Sequence, residues 1–152
     1  MKTIQRLYKH LYWADKRILE GLQANGAGDG KMVQLFAHIL QSEQVWLTRL
    51  QGEDSNHLPL WQEVGPAECA RLAEHNRKGF AAYLDSLTEE DLDRVVTYRN
   101  QTGREYSTSI RDILTHLALH GQYHRGQINT LLRTEGMEPV NVDFITFVRN
   151  GG

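Results

Sequence analysis

Four stretches of this chain repeat apolar side chains at three- and four-residue intervals, and that period commits most of the chain to amphipathic helices. The first runs from about Thr3 to Leu22, with Ile4, Leu7, Leu11, Ile18 and Leu22 on one face. The second runs from about Lys31 to Leu50, with Met32, Leu35, Phe36, Ile39, Trp46 and Leu50 in its stripe. The third, about Pro66 to Leu87, is carried by Leu72, Phe80, Tyr83, Leu84 and Leu87 and is the weakest. The fourth begins at Ser107 to Ser109 and stops at Gly136, a good residue for closing a helix, with Pro139 just beyond. Ser109 and Asp112 resemble a capping box at its start. Helices apolar on one face must bury that face against each other, so the pattern predicts an all-α four-helix bundle.

The links between the stretches refine this. "NGAGDG", Asn25 to Gly30, breaks the chain after the first helix, and so short a link predicts antiparallel neighbours. "QGEDSNHLPLWQEVG" after the second helix is long enough to cross back along the bundle, which lets the third helix run parallel to the second. Gly65-Pro66 marks its end, because proline suits a first helical turn. "RVVTYRNQTGREYS" predicts a small hairpin turning at Thr102-Gly103 before the fourth helix. The tail "NVDFITFVRN" adds a short helical turn that packs Phe144 and Phe147 onto the body. At 152 residues one domain, 1–152, is expected. A net charge of −2 supplies no basic face for nucleic acid, and no apolar run is long enough to span a membrane. The single cysteine, Cys69, cannot form an internal disulfide and is expected as a small buried residue rather than a nucleophile. The N-terminal stretch has no secretory h-region, so a cytoplasmic setting is expected.

The stretch "HLALHGQYHRGQ" carries histidines at 116, 120 and 124. Each helical residue advances about 100° around the axis. Ile110, Ile113, Leu114, Leu117, Gly121, Ile128, Leu131 and Leu132 fall on one side of the fourth helix. His124 lies inside that stripe, His120 at its margin and His116 on the flank. Two inward histidines a turn apart can reach one metal ion, or they can be a hydrogen-bonded pair in the core, and spacing leaves both readings open. Gly121 and Gly126 beside them suggest that another backbone, or a ligand, comes close. "HGQYH" lacks the glutamate of a zinc protease, and no Glu-x-x-His pair occurs for a di-iron bundle. A third ligand must come from another helix. His38 is the best-placed candidate, although it falls on the flank of the second stripe. His10, His57 and His75 are expected to be solvent-facing or incidental. Asp15 and Glu43 fall inside apolar stripes, either to hold a metal-bound imidazole or to form an internal salt bridge, for instance with Arg125. Tyr12 and Trp13 lie off the first stripe, where they could serve a subunit interface.

"LYWADKRIL", "HILQSEQVWL" and "HGQYHRGQI", with the ending "GMEPVNVDFITFV", together resemble the DinB family, the DinB/YfiT-like metal-binding bundles. The resemblance covers essentially the whole chain. It implies a four-helix bundle in up-down-down-up order, often a homodimer, with metal held by His38, His120 and His124. His116 precedes the motif and stays outside the site, although its ordinary pKa near neutrality makes it admissible as a proton shuttle. Three imidazoles suit Zn²⁺, Ni²⁺ or Fe²⁺. By analogy with members that are thiol-dependent S-transferases, the expected activity is transfer of a low-molecular-weight thiol to a small-molecule electrophile in a stress response. The alternatives are metal-dependent hydrolysis and a non-catalytic metal-binding or interaction bundle.

Overall fold

The computed structural model describes residues 1–26 and 30–152. It is mostly helical. The elements are α1 (Lys2–Ala24), α2 (Lys31–Leu50), α3 (Pro66–Asp85), a 3₁₀ turn (Glu90–Asp93), β1 (Val95–Arg99), β2 (Glu105–Ser109), α4 (Ile110–Thr134) and α5 (Phe144–Arg149). Part of the expected break at Asn25 to Gly30 lies outside the described residues, at 27–29.

Local chemistry explains the ends of these elements. Pro66 opens α3. The Ser109 hydroxyl accepts the Asp112 N–H at 3.1 Å and donates to Asp112 Oδ2 at 2.7 Å. The short aspartate therefore closes on the hydroxyl, where a longer glutamate would reach the backbone. At the other end of α4, Gly136 takes φ 72°. Gly136 N–H bonds the Arg133 carbonyl and Met137 N–H the Leu132 carbonyl, the pattern that closes a helix on a left-handed residue. The hairpin pairs Val95 with Ser109 through Arg99 with Glu105. Its turn is organised by the Asn100 side chain, which accepts the N–H groups of Thr102 and Arg104.

α1 and α2 each pack mainly against α3 and α4, and touch each other less than either touches those two. Side-by-side pairing of the first two helices is therefore a minor contact. α2 is buried almost all round because residues 51–65 lie over the face that the four-helix pattern would leave to water. That irregular segment solves its backbone hydrogen bonding with side chains. Gln41 bonds both peptide groups of Gln62, at 2.8 and 3.0 Å, and Gln34 bonds both of Val64, at 3.5 and 3.4 Å. Asn129 treats Val140 in the same way at 2.8 and 2.7 Å, fixing the tail before α5. Peptide groups that leave water without a ladder partner need such acceptors and donors. His10 belongs to this set. It is buried, not solvent-facing, and its Nε2 donates to the Val142 carbonyl at 2.8 Å. Trp13, expected at a subunit interface, packs with His10 and Phe147 under α5. Phe147 is buried as expected, whereas Phe144 remains partly exposed.

The core is in two parts. One contains Ala14, Ile18, Leu22, Phe36, Ile39, Cys69, Leu72, Ile128 and Leu132. The other contains Ile4, Tyr8, Leu47, Phe80, Leu84, Ile113 and Leu117. Near the division between them each helix carries a buried polar residue: Asp15 on α1, Glu43 on α2, Asn76 on α3 and Arg125 on α4. Arg125 Nη1 donates to Asp15 Oδ1 at 2.6 Å, and Asn76 Nδ2 donates to Glu43 Oε2 at 3.1 Å and to the Leu40 carbonyl at 2.8 Å. The salt-bridge reading of Asp15 is the one the structure takes. Burial pushes the Glu43 carboxyl well above its ordinary pKa, and the neighbouring Asp15 charge pushes it further, against the pull of Arg125.

A group whose pKa is raised by folding holds its proton in the folded state after the unfolded chain has lost it. Stability from Glu43 is then complete below the ordinary carboxylate pKa and falls as pH rises toward the folded value, by up to about 1.4 kcal/mol per pH unit. The expected result is that wild type loses ground to Glu43→Gln as pH is raised from 5 to 8, in denaturant titrations run in parallel. Histidine contributions are common to both proteins and cancel. A difference independent of pH would show that Glu43 is ionised in the folded protein.

Candidate metal centre

His38 on α2 and His120 and His124 on α4 place one ring nitrogen each within 4.8 Å of one another, so the three are positioned to hold a metal ion. Their rings meet edge to face, with centroids 5.1 Å apart for His38 and His120, 4.8 Å for His38 and His124, and 4.5 Å for His120 and His124. His116, the third histidine of its helix, lies outside this set. Its ring sits 5.5 Å from that of His120 and 5.6 Å from that of Trp46. The drift of about 40° per four residues accounts for that, carrying His116 away from the side that His124 faces. His57 and His75 are exposed, as expected.

The donor chemistry fits a divalent transition metal. His38 Nδ1 lies 2.7 Å from the Leu60 carbonyl, which can only accept, so Nδ1 carries the hydrogen and Nε2 keeps the free lone pair. His124 Nδ1 donates to Gln127 Oε1 at 2.6 Å, which leaves its Nε2 free in the same way. Outer hydrogen bonds of this kind fix tautomer and ring orientation around bound metals. Burial, reinforced by the charges of His124, His38, His116 and Arg125, pushes the His120 pKa down to about 4. Burial also lowers that of His38, although its bond to Leu60 works against the shift. Both rings are therefore neutral at pH 7, the form that binds metal. Among the described residues neither Asp15 nor Glu43 hydrogen-bonds any of the three histidines. The partners that do so, the Leu60 carbonyl and Gln127, were not singled out in the sequence. Gln127 had a usable signal, since it follows His124 by three residues on one helical face. The backbone carbonyl had none.

The two glycines beside the histidines have different causes. A Cβ at Gly121 would stand 3.0 and 3.1 Å from the Arg125 guanidinium nitrogens. What stands close at Gly121 is therefore not another backbone, as the sequence suggested, but the arginine of the same helix, folded back and fully buried at 0 % exposure. Nothing lies within 4 Å of a Cβ at Gly126. Gly126→Ala is expected to stabilise by up to about 1 kcal/mol through helix propensity alone. Gly121→Ala should instead destabilise by about 1–3 kcal/mol, because the guanidinium cannot yield without leaving Asp15. Thermal or urea unfolding of the two variants checks the opposite signs.

A helical protein with three imidazoles converging from two helices is positioned to hold a metal ion. The family follows from comparison of the whole chain. Residues 1–150 match the DinB family model, and the chain belongs to the DinB family. It is 23% identical to Protein DinB of Bacillus subtilis (strain 168), covering 91% of this chain and 90% of that protein. It is 24% identical to YizA of the same organism, covering 88% and 83% respectively. Among solved structures it resembles a DinB-like protein from Bacillus cereus ATCC 10987, with TM-score 0.70 at 17% identity over 94% of this chain and 97% of that one. A DinB-like protein of Bacillus subtilis, YjoA, gives TM-score 0.62 at 18% identity over 93% and 96%. No helix among the described residues is long and apolar enough to cross a membrane.

Proposed function

We propose that the chain is a metal-dependent enzyme in which His38, His120 and His124 hold Zn²⁺, Ni²⁺ or Fe²⁺ and a low-molecular-weight thiol is transferred to a small electrophile. The observation that carries the metal half is the convergence of three ring nitrogens within 4.8 Å, two of them held in the ligating tautomer. The thiol half rests on the family resemblance. A bound metal would supply Lewis acidity, which lowers the pKa of a thiol or water at an open position. The protein's own part is positional. The Leu60 carbonyl and Gln127 aim two rings, and burial keeps His120 unprotonated. Cys69 is excluded as the nucleophile in this reading, because it is fully buried and its thiol is pushed up to about 11.

The same proposal includes a single domain with helices in up-down-down-up order, working as a cytoplasmic homodimer without nucleic acid or membrane. The two core clusters support that order. One gathers the C-terminal half of α1 and of α4 with the N-terminal half of α2 and of α3, and the other gathers the opposite halves.

The test is protein purified without a histidine tag, assayed for metal and then with a thiol panel and an electrophilic dye such as monochlorobimane. Conjugation is expected only with metal and one of the thiols present, and a chelator should abolish it. Conjugation that survives complete metal removal would overturn the proposal. Metal-dependent turnover of ester or amide substrates with no thiol requirement would replace transfer with hydrolysis.

A further inference from the structure

The chain buries two arginines. Arg125 is paired with Asp15. Arg49, in the last turn of α2 and only 7 % exposed, makes no ion pair among the described residues. Its guanidinium is held on three sides. Cζ lies 4.6 Å from the centre of the Trp46 ring and 4.9 Å from that of Tyr98 on β1. Nε donates to Ser55 Oγ, itself buried, at 2.9 Å. The two Nη nitrogens have no hydrogen-bond partner among the described residues. Unlike Arg125 Nη2, neither is sealed from the surface. Arg49 lines a pocket of about 250 Å³ between the end of α2, residues 52–56 and the hairpin.

Buried charges are ordinarily paired. The C-terminal end of a helix favours a cation and ring faces attract one, so part of the cost is offset. Neither supplies the Nη donors with an acceptor. Burial lowers the Arg49 pKa, and only Tyr98 opposes that shift, so no carboxylate stands near enough to neutralise the charge. The carboxylates of the rim are engaged elsewhere. Asp54 Oδ1 accepts the Asn56 N–H at 3.1 Å, and Glu105 lies 3.7 Å from Arg99.

We infer that this pocket is a second binding site, in which the Arg49 Nη fork takes the carboxylate of a small monoanionic ligand. It shares no lining residue with the histidine trio and does not depend on the metal reading. With Nε held by Ser55, the donors left over are the two Nη nitrogens, a fork that matches the two coplanar oxygens of a carboxylate. Phosphate offers a similar pair of oxygens. Glu53, Asp54 and Glu105 outnumber Arg99 on the rim, however, and oppose a dianion. The two rings and Ser55 already fix the guanidinium, so little ordering remains to be done on binding.

The test is an NMR titration of isotope-labelled full-length protein with acetate and, separately, with inorganic phosphate. Ionic strength is matched, and the pH is one at which phosphate is a dianion. The readouts are the Arg49 Nε–H signal and the amide signals of residues 52–56 and 97–99. Acetate is expected to shift them saturably and to bind more tightly than phosphate, equally with and without added zinc. Arg49→Gln should weaken acetate binding by about 10- to 150-fold, the range for a hydrogen bond to a charged group. Arg49→Lys keeps the charge and the stem but not the fork, and it should lose most of the affinity even if Arg49→Gln does not fold. Absence of a saturable shift at the pocket in wild type would overturn the inference. So would undiminished acetate binding in Arg49→Lys, or tighter binding of phosphate than of acetate. Shifts that appear only with zinc would assign the acetate to the metal and overturn it as well.

Discussion

His38→Ala, His120→Ala and His124→Ala, each purified beside wild type at neutral pH, are expected to lose most of their bound metal, whereas His116→Ala retains close to full occupancy. Removing an outer hydrogen bond from a metal-bound histidine costs about 10- to 100-fold in affinity, and removing the ligand itself should exceed that. The separation between His116 and the rest follows from geometry. Only the other three bring ring nitrogens within 4.8 Å of one another. If metal binds the folded state alone, it stabilises by mass action, about 2.7 kcal/mol when free metal stands 100-fold above its dissociation constant. A chelator should therefore lower the melting temperature of metal-loaded wild type and leave His124→Ala nearly unchanged. Loss of metal from His116→Ala with retention in His38→Ala would show that the third ligand has been misassigned.

Asp15→Ala should be the most damaging substitution away from the histidines. Arg125 is 0 % exposed, and its Nη1 is bonded to Asp15 Oδ1 at 2.6 Å. Removing the carboxylate strands a buried cation, which typically costs about 3–5 kcal/mol. That is a large share of the roughly 5–15 kcal/mol by which a domain is stable. Urea unfolding of Asp15→Ala measures the loss. Replacing both partners with apolar residues of similar size, as in Asp15→Leu with Arg125→Met, should recover most of it, since neither desolvated charge remains. A cost for Asp15→Ala below about 1 kcal/mol would mean that water reaches the guanidinium or that Glu43, relieved of the Asp15 charge, ionises in its place.

The proximity of this ion pair to the metal centre follows from one stretch of α4. His124 and Arg125 are adjacent, and both are buried at the level where the two core clusters divide. Gly121 makes room for the guanidinium on the preceding turn. A substitution at Gly121 should therefore disturb the polar layer first and the histidines second. Stability and metal affinity measured on the same variant would separate the two effects.

The sequence by itself determined which segments are helical and which residues are apolar inside them. Ile110, Ile113, Leu114, Leu117, Ile128 and Leu132 are all buried as the 3.6-residue period requires. It also determined the helix ends at Pro66, Ser109 and Gly136, because those signals act over one turn of chain. The pairing of His120 with His124 was legible for the same reason. Only the tertiary structure decided the rest, and in each case the deciding contact joins residues far apart in the chain. His38 looked peripheral because a helical wheel assumes that the far face meets water, whereas residues 51–65 cover that face and the Leu60 carbonyl aims the ring. His10 looked incidental until the tail brought the Val142 carbonyl to it. The choice of Asp15 as the partner of Arg125 depends on the packing of α1 against α4. Local periodicity reports how a residue stands on its own helix, but a buried polar group is satisfied by whatever the fold carries to it.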